Sequence, residues 1–154
     1  MRLWSRSLLL TLLVATFGAG STFAHAYLDT SSPSANSVQT EPVTVVELHF
    51  SEGIEVSFST FKVYRLDADV DLTADSASMR LNALAAVVVT NYNGTVEDGE
   101  GRVEATVGSG HDDKAIVTLT FEQPLEPGHY VVMWRVLSVD THVVDGHIVF
   151  SVTD

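Results

Sequence analysis

The chain has 154 residues, enough for one domain with a real core. It carries 20 Asp and Glu against 8 Lys and Arg and contains no cysteine. The acidic balance argues against a nucleic-acid partner, because phosphate binding needs Lys and Arg. The missing thiols exclude disulfides and thiolate metal sites, so any metal must use His, carboxylate, Met or backbone donors.

The first segment has the three parts of a secretory signal peptide. Arg2 and Arg6 form a short basic start, Leu8 to Phe17 forms an apolar run, and small residues follow up to Ala24. That run is shorter than the roughly 20 residues a bilayer-spanning helix needs. The expected organisation is a leader over 1–24 and a single domain over 25–154, acting without a membrane span after processing. Cleavage after Ala24 makes His25 the first residue. Cleavage after Ala26 also satisfies the small-residue rule and makes Tyr27 first. Arg2 and Arg6 are the two cations before residue 25, so the chain from His25 onward holds 6 cations against 20 carboxylates, a net charge of −14.

From residue 25 the pattern is strand-like. Expected strands cover 43–50 (VTVVELHF), 58–65 (FSTFKVYR), 87–91 (VVVTN), 103–107 (VEATV), 115–121 (AIVTLTF), 129–137 (HYVVMWRVL) and 147–152 (HIVFSV). Turns are expected at Ser32-Pro33, Asn93-Gly94, Asp98-Gly99, Pro127-Gly128 and Asp145-Gly146. Residues 67–86 read as a short helix or an ordered loop. Residues 93–101 and 108–114 read as loops or a hairpin insertion. Seven or more short strands in one domain predict an all-β sandwich or Greek-key barrel.

Six histidines are present: His25, His49, His111, His129, His142 and His147. Singly, each reads as an ordinary surface or core residue. Two combinations point to metal chemistry. A free N-terminal His25 offers an amine and an imidazole that close a six-membered chelate ring. Such nitrogen donors suit copper(II), which favours tetragonal nitrogen and oxygen sites. Asp140-Thr141-His142 places a carboxylate and an imidazole on one face if the segment is extended. A second copy, Asp145-Gly146-His147, has a turn signal at Gly146, which fixes the two side chains together less well. Only Met79 and Met133 remain after Met1, so a Met-rich copper(I) site has no material.

The residues His25-Ala26-Tyr27-Leu28, Ser31-Ser32-Pro33-Ser34 and Leu48-His49-Phe50-Ser51-Glu52-Gly53 resemble the CopC-type copper resistance domain family. So do Pro127 to Val136, Ser138-Val139-Asp140-Thr141-His142 and Asp145-Gly146. The likeness covers roughly residues 25–65 and 115–152. It implies a cupredoxin-like Greek-key β-sandwich, exported to the periplasm, with a mature chain that starts at His25. It also implies copper(II) ligands at His25, Asp140 and His142. Glu52 matches a family carboxylate that lies near the copper and orients a ligand; its plain reading is a solvated loop residue. His147 matches no family ligand. The middle of the chain, 67–114, matches poorly.

The function that follows is a non-catalytic copper carrier or scavenger, partnered by the copper ion and by a membrane copper transporter or another copper protein. Two other functions fit parts of the sequence. A histidine-brace copper oxidase of the lytic polysaccharide monooxygenase kind needs two His and an open equatorial position, which Asp140 would fill. A metal-free Ig-like interaction domain would show no copper-dependent stabilisation.

Overall fold

A computed structural model describes residues 26–110 and 113–154. Apolar alternation organises these residues into two sheets. The strands are β1 (Leu28–Ser32), β2 (Val38–Gln39), β3 (Val45–Phe50), β4 (Thr60–Leu66), β5 (Arg102–Val103), β6 (Thr106–Ser109), β7 (Ile116–Thr120), β8 (Gly128–Leu137) and β9 (Val143–Val152). One sheet has the order β1-β3-β7-β6 and the other β2-β9-β8-β4-β5. All pairings are antiparallel except β2 with β9. In chain order the strands change sheet from β1 to β2, β2 to β3, β3 to β4, β5 to β6 and β7 to β8, which builds a β-sandwich. The expected β-sandwich class is therefore the observed one.

The core lies between the sheets. Val46, Leu48 and Phe50 of β3 and Val117 and Leu119 of β7 face Tyr130, Val132, Trp134 and Val136 of β8 and Ile148, Phe150 and Val152 of β9. Alternate residues of one strand point to one face, so these sets are spaced by two. Strand β8 is buried on both faces. Its other set, Val131 and Met133, packs with Tyr64 and Val149 under a helix. That double burial explains why β8 reads as a continuous apolar run.

The helix, α1 (Ala77–Tyr92), corrects the strand expected over 87–91. Ala77, Leu81 and Ala85 are buried at a spacing of four, and Val88, Val89 and Tyr92 continue the stripe. Val87 to Val89 are β-branched and favour strands locally. The helical stripe gains the outer face of the five-stranded sheet, and packing of such a face outweighs propensity. Full burial of a side chain such as Leu81 contributes about 1.5–3 kcal/mol.

Two more expectations change. The strand expected over 103–107 is two short strands in different sheets, because the chain crosses between the layers at Glu104-Ala105. No turn occurs at Asp145-Gly146, and the last strand begins at Val143 rather than at His147. Gly146 lies mid-strand opposite Trp134, where an added Cβ would fall 2.4 Å from Trp134 Cζ2. The glycine there makes room for an indole ring.

Candidate metal centre

Strands β8 and β9 form a long hairpin whose last pair is Leu137 with Val143. The five residues between them, 138–142, make a tight loop. Ser138 N–H donates to the His142 carbonyl at 2.9 Å, and Thr141 N–H donates to the Ser138 carbonyl at 2.9 Å. Thr141 has φ 74°, a left-handed conformation that is uncommon for a β-branched residue. The segment is not extended, so alternation is not what gathers Asp140 and His142. The loop turns them toward each other instead.

Asp140 Oδ2 lies 2.8 Å from His142 Nδ1. Asp140 Oδ1 accepts the Ser138 hydroxyl and, at 3.2 Å, the His142 backbone N–H. The Ser138 hydroxyl lowers the Asp140 pKa most, to about 2, with help from both His142 contacts. The carboxylate is therefore ionised at neutral pH. It is an oxygen donor beside a nitrogen donor, and both side chains stay partly open to solvent.

The loop is tied to a second segment that carries Glu52. Val139 N–H donates to the Gly53 carbonyl at 2.9 Å, and Ile54 bridges Ser138. An added Cβ on Gly53 would fall 3.0 Å from Val139 Cγ1, so a larger residue would push the two segments apart. The same segment holds the start of the described chain. Tyr27 N–H donates to Ser51 Oγ at 3.1 Å, and Ser51 N–H donates to the Tyr27 carbonyl at 2.9 Å. Ala26 is fully buried in the core. Residues 26–27, 51–54 and 138–142 thus form one connected end of the sandwich. His25 immediately precedes Ala26 but lies outside the described residues, as do His111 and the proposed leader.

Glu52 Oε2 is buried and has no hydrogen-bond partner among the described residues. An orphaned carboxylate oxygen is costly, and most buried polar atoms in folded proteins are paired. Its place beside the loop fits a cation or a ligand N–H at this end of the fold. Among the described residues, no group of three or more His, Asp or Glu is arranged around one point. Asp140 and His142 are the one adjacent carboxylate and imidazole that the described residues place on this loop.

The remaining candidates have structural partners. Asp145, of the second Asp-x-His copy, is paired with Arg135 Nη1 at 2.9 Å and accepts from Asn93 Nδ2 at 3.2 Å. His147 stands opposite Met133 in the hairpin, and burial pushes its pKa below the usual histidine range. His49 lies 3.3 Å from Glu47 on β3. His129 Nδ1 lies 2.8 Å from Ser151 Oγ, and burial lowers its pKa also. Ser138, to which the sequence assigned no role, brings its hydroxyl to the Asp140 carboxylate. Its signal was the spacing Ser-x-Asp-x-His, but a serine at that spacing is too common to mark a site without the loop.

The described residues thus form a two-sheet β-sandwich that carries a carboxylate–imidazole pair on its terminal hairpin loop. The CopC domain model matches residues 28–104 and 68–153, and the chain belongs to that family. It is 33% identical to copper resistance protein C of Pseudomonas syringae pv. tomato over 129 residues, covering 84% of this chain and 81% of that protein. It is 27% identical to protein YobA of Escherichia coli K12 over 143 residues, covering 93% and 90%. The crystal structure of PcoC, a methionine-rich copper resistance protein from Escherichia coli, superposes with a TM-score of 0.57 at 28% identity. That match covers 84% of this chain and all of PcoC.

Proposed function

We propose that this chain binds copper(II) and carries or buffers it outside the cytoplasm as part of copper homeostasis or resistance. The 2.8 Å separation of Asp140 Oδ2 and His142 Nδ1 supports this reading most directly. That contact is an imidazole–carboxylate hydrogen bond, and it keeps an ionised oxygen and a ring nitrogen, two donor types that suit copper(II), side by side on one loop. The imidazole exchanges its Nδ1 proton for the metal, keeping a neutral ring with its proton on Nε2.

His25 completes the set. Cleavage after Ala24 exposes its amine, and the amine and imidazole supply two further nitrogen donors. Glu52 then orients a ligand N–H or faces the metal's charge with the oxygen that has no other described partner. Four filled in-plane positions favour storage and transfer, whereas catalytic metal sites usually keep a position open. The relatives named for copper resistance point to the same cargo. No helix among the described residues is long and apolar enough to cross a membrane. The expected acceptor is a membrane copper transporter or another copper protein in the periplasm.

Intact mass of the exported protein, followed by copper(II) titration, tests the reading. The expected product starts at His25 and binds one copper(II). A variant with one extra residue before His25 should bind far more weakly. Equal binding by the extended form would remove the amine from the site, and sustained oxygen consumption with ascorbate and polysaccharide would replace carriage by catalysis.

A further inference from the structure

We infer that Ser138 is a positioning residue for the copper site, holding Asp140 so that it binds through Oδ2 alone; this rests on the copper-binding reading above. A free carboxylate has two equivalent oxygens and can grip a metal with both. Here the two are not equivalent. Oδ1 accepts the Ser138 hydroxyl and the His142 backbone N–H, and Oδ2 is the oxygen beside His142 Nδ1. The hydroxyl hydrogen bond occupies the inner oxygen and turns the outer one toward the imidazole.

Ser138 is well placed for that role. It is 1 % exposed, so its hydroxyl has little water to turn to. Its backbone is fixed on three sides, by the Ile54 bridge, by the His142 carbonyl and by Thr141 N–H. The other acceptor within reach of its hydroxyl is the His142 carbonyl at 3.3 Å, a longer contact already served by Ser138 N–H. A hydroxyl held by a fixed backbone and bonded to an ionised carboxylate makes a charge-assisted hydrogen bond, stronger than a neutral one. Outer groups of this kind orient metal ligands, and their loss typically lowers metal affinity about 10–100-fold.

A neighbouring serine provides the control. Ser59 Oγ accepts the Leu137 N–H at 3.0 Å and donates to the Glu55 carbonyl at 2.9 Å. It supports the same hairpin without touching Asp140. The test compares wild type, Ser138→Ala, Ser138→Thr and Ser59→Ala, starting from the mature protein. Copper(II) affinity by competition titration and the copper EPR spectrum form one readout. Exchange of the His142 amide and the carboxyl ¹³C shift of Asp140, both in copper-free protein, form the other. Ser138→Ala should bind about 10–100-fold more weakly with altered EPR parameters, exchange the His142 amide faster and move the Asp140 carboxyl signal. Ser138→Thr should recover the wild-type EPR spectrum, and Ser59→Ala should keep it. An unchanged EPR spectrum and Asp140 signal in Ser138→Ala would overturn the inference, as would an equal loss in Ser59→Ala. If wild type binds no copper(II), the proposed function fails. The copper-free measurements then decide separately whether Ser138 orients Asp140.

Discussion

Gly146 and Trp134 face each other across the β8–β9 pair, and the indole occupies the space where any side chain on residue 146 would begin. Trp134 is buried in the inter-sheet core, where its ring meets Phe50 edge-on with centroids 5.8 Å apart. The ring cannot swing away without opening that core. Gly146→Ala should therefore destabilise the protein by about 1–3 kcal/mol, the usual cost of overpacking. Urea denaturation of the copper-free protein measures it, and an unchanged midpoint would show that the ring has room to move.

Asp140 and His142 should each matter to copper. Both sit on a surface loop, and neither belongs to the core clusters. Asp140→Asn keeps the shape and removes the charge, and His142→Gln removes the ring nitrogen. Each should weaken copper(II) binding by at least about 100-fold, since loss of an outer partner alone costs about 10–100-fold. Calorimetric titration reads the loss. Wild-type affinity in both variants would place the metal elsewhere.

Thr141 stores strain in the same loop. A β-branched residue in the left-handed region costs on the order of 1–3 kcal/mol, and glycine adopts it freely. Glycine also loses more freedom on folding, which offsets part of the gain. Thr141→Gly should still raise the stability of the copper-free protein by about 1 kcal/mol, with no loss of the Asp140–His142 contact. A lowered melting temperature would show that the threonine side chain holds the loop in ways its backbone angle does not suggest.

Stability should fall as the pH drops, in two stages. Burial lowers the pKa of His129 and His147 below the ordinary histidine value. Below about pH 6.5 the unfolded chain takes up protons there that the folded chain does not, so folding weakens. Asp98 acts in the more acidic range. Lys62, buried beneath it, donates to its carboxylate at 2.8 Å, and Tyr64 donates at 3.0 Å; together they hold its pKa below 3.8. That contribution is complete above the unfolded pKa and is lost as the pH falls through the folded one. His147→Gln should flatten the slope between about pH 5 and 6.5, and Asp98→Asn the slope below about pH 4. Denaturation midpoints across pH check both, and a slope unchanged by Asp98→Asn would mean that Lys62 is satisfied without it.

Much of the sandwich was legible because its strands obey a local period. Val43 to Phe50, Ala115 to Phe121 and His129 to Leu137 each appear as strands within a few residues of their sequence boundaries. Residues 87–91 misled because their β-branched side chains carry a strand preference of their own. Their burial partners, Tyr64, Met133 and Val149, lie far away in the chain. Asp145-Gly146 misled for a similar reason. The dipeptide is a strong turn signal, yet the glycine serves a ring twelve residues earlier.

The sequence by itself determined the class of the domain, its lack of thiol chemistry and the closeness of Asp140 and His142 in the chain. Those features depend on residue type and short spacing, which need no partner. Only the tertiary structure decided that the pair meets through a strained five-residue loop, that Ser138 holds the inner carboxylate oxygen, and that Glu52 and Tyr27 flank the same end. Each of those is a contact between segments brought together by the sheets, and pairing between distant strands is a property of the whole packed core rather than of any stretch within it.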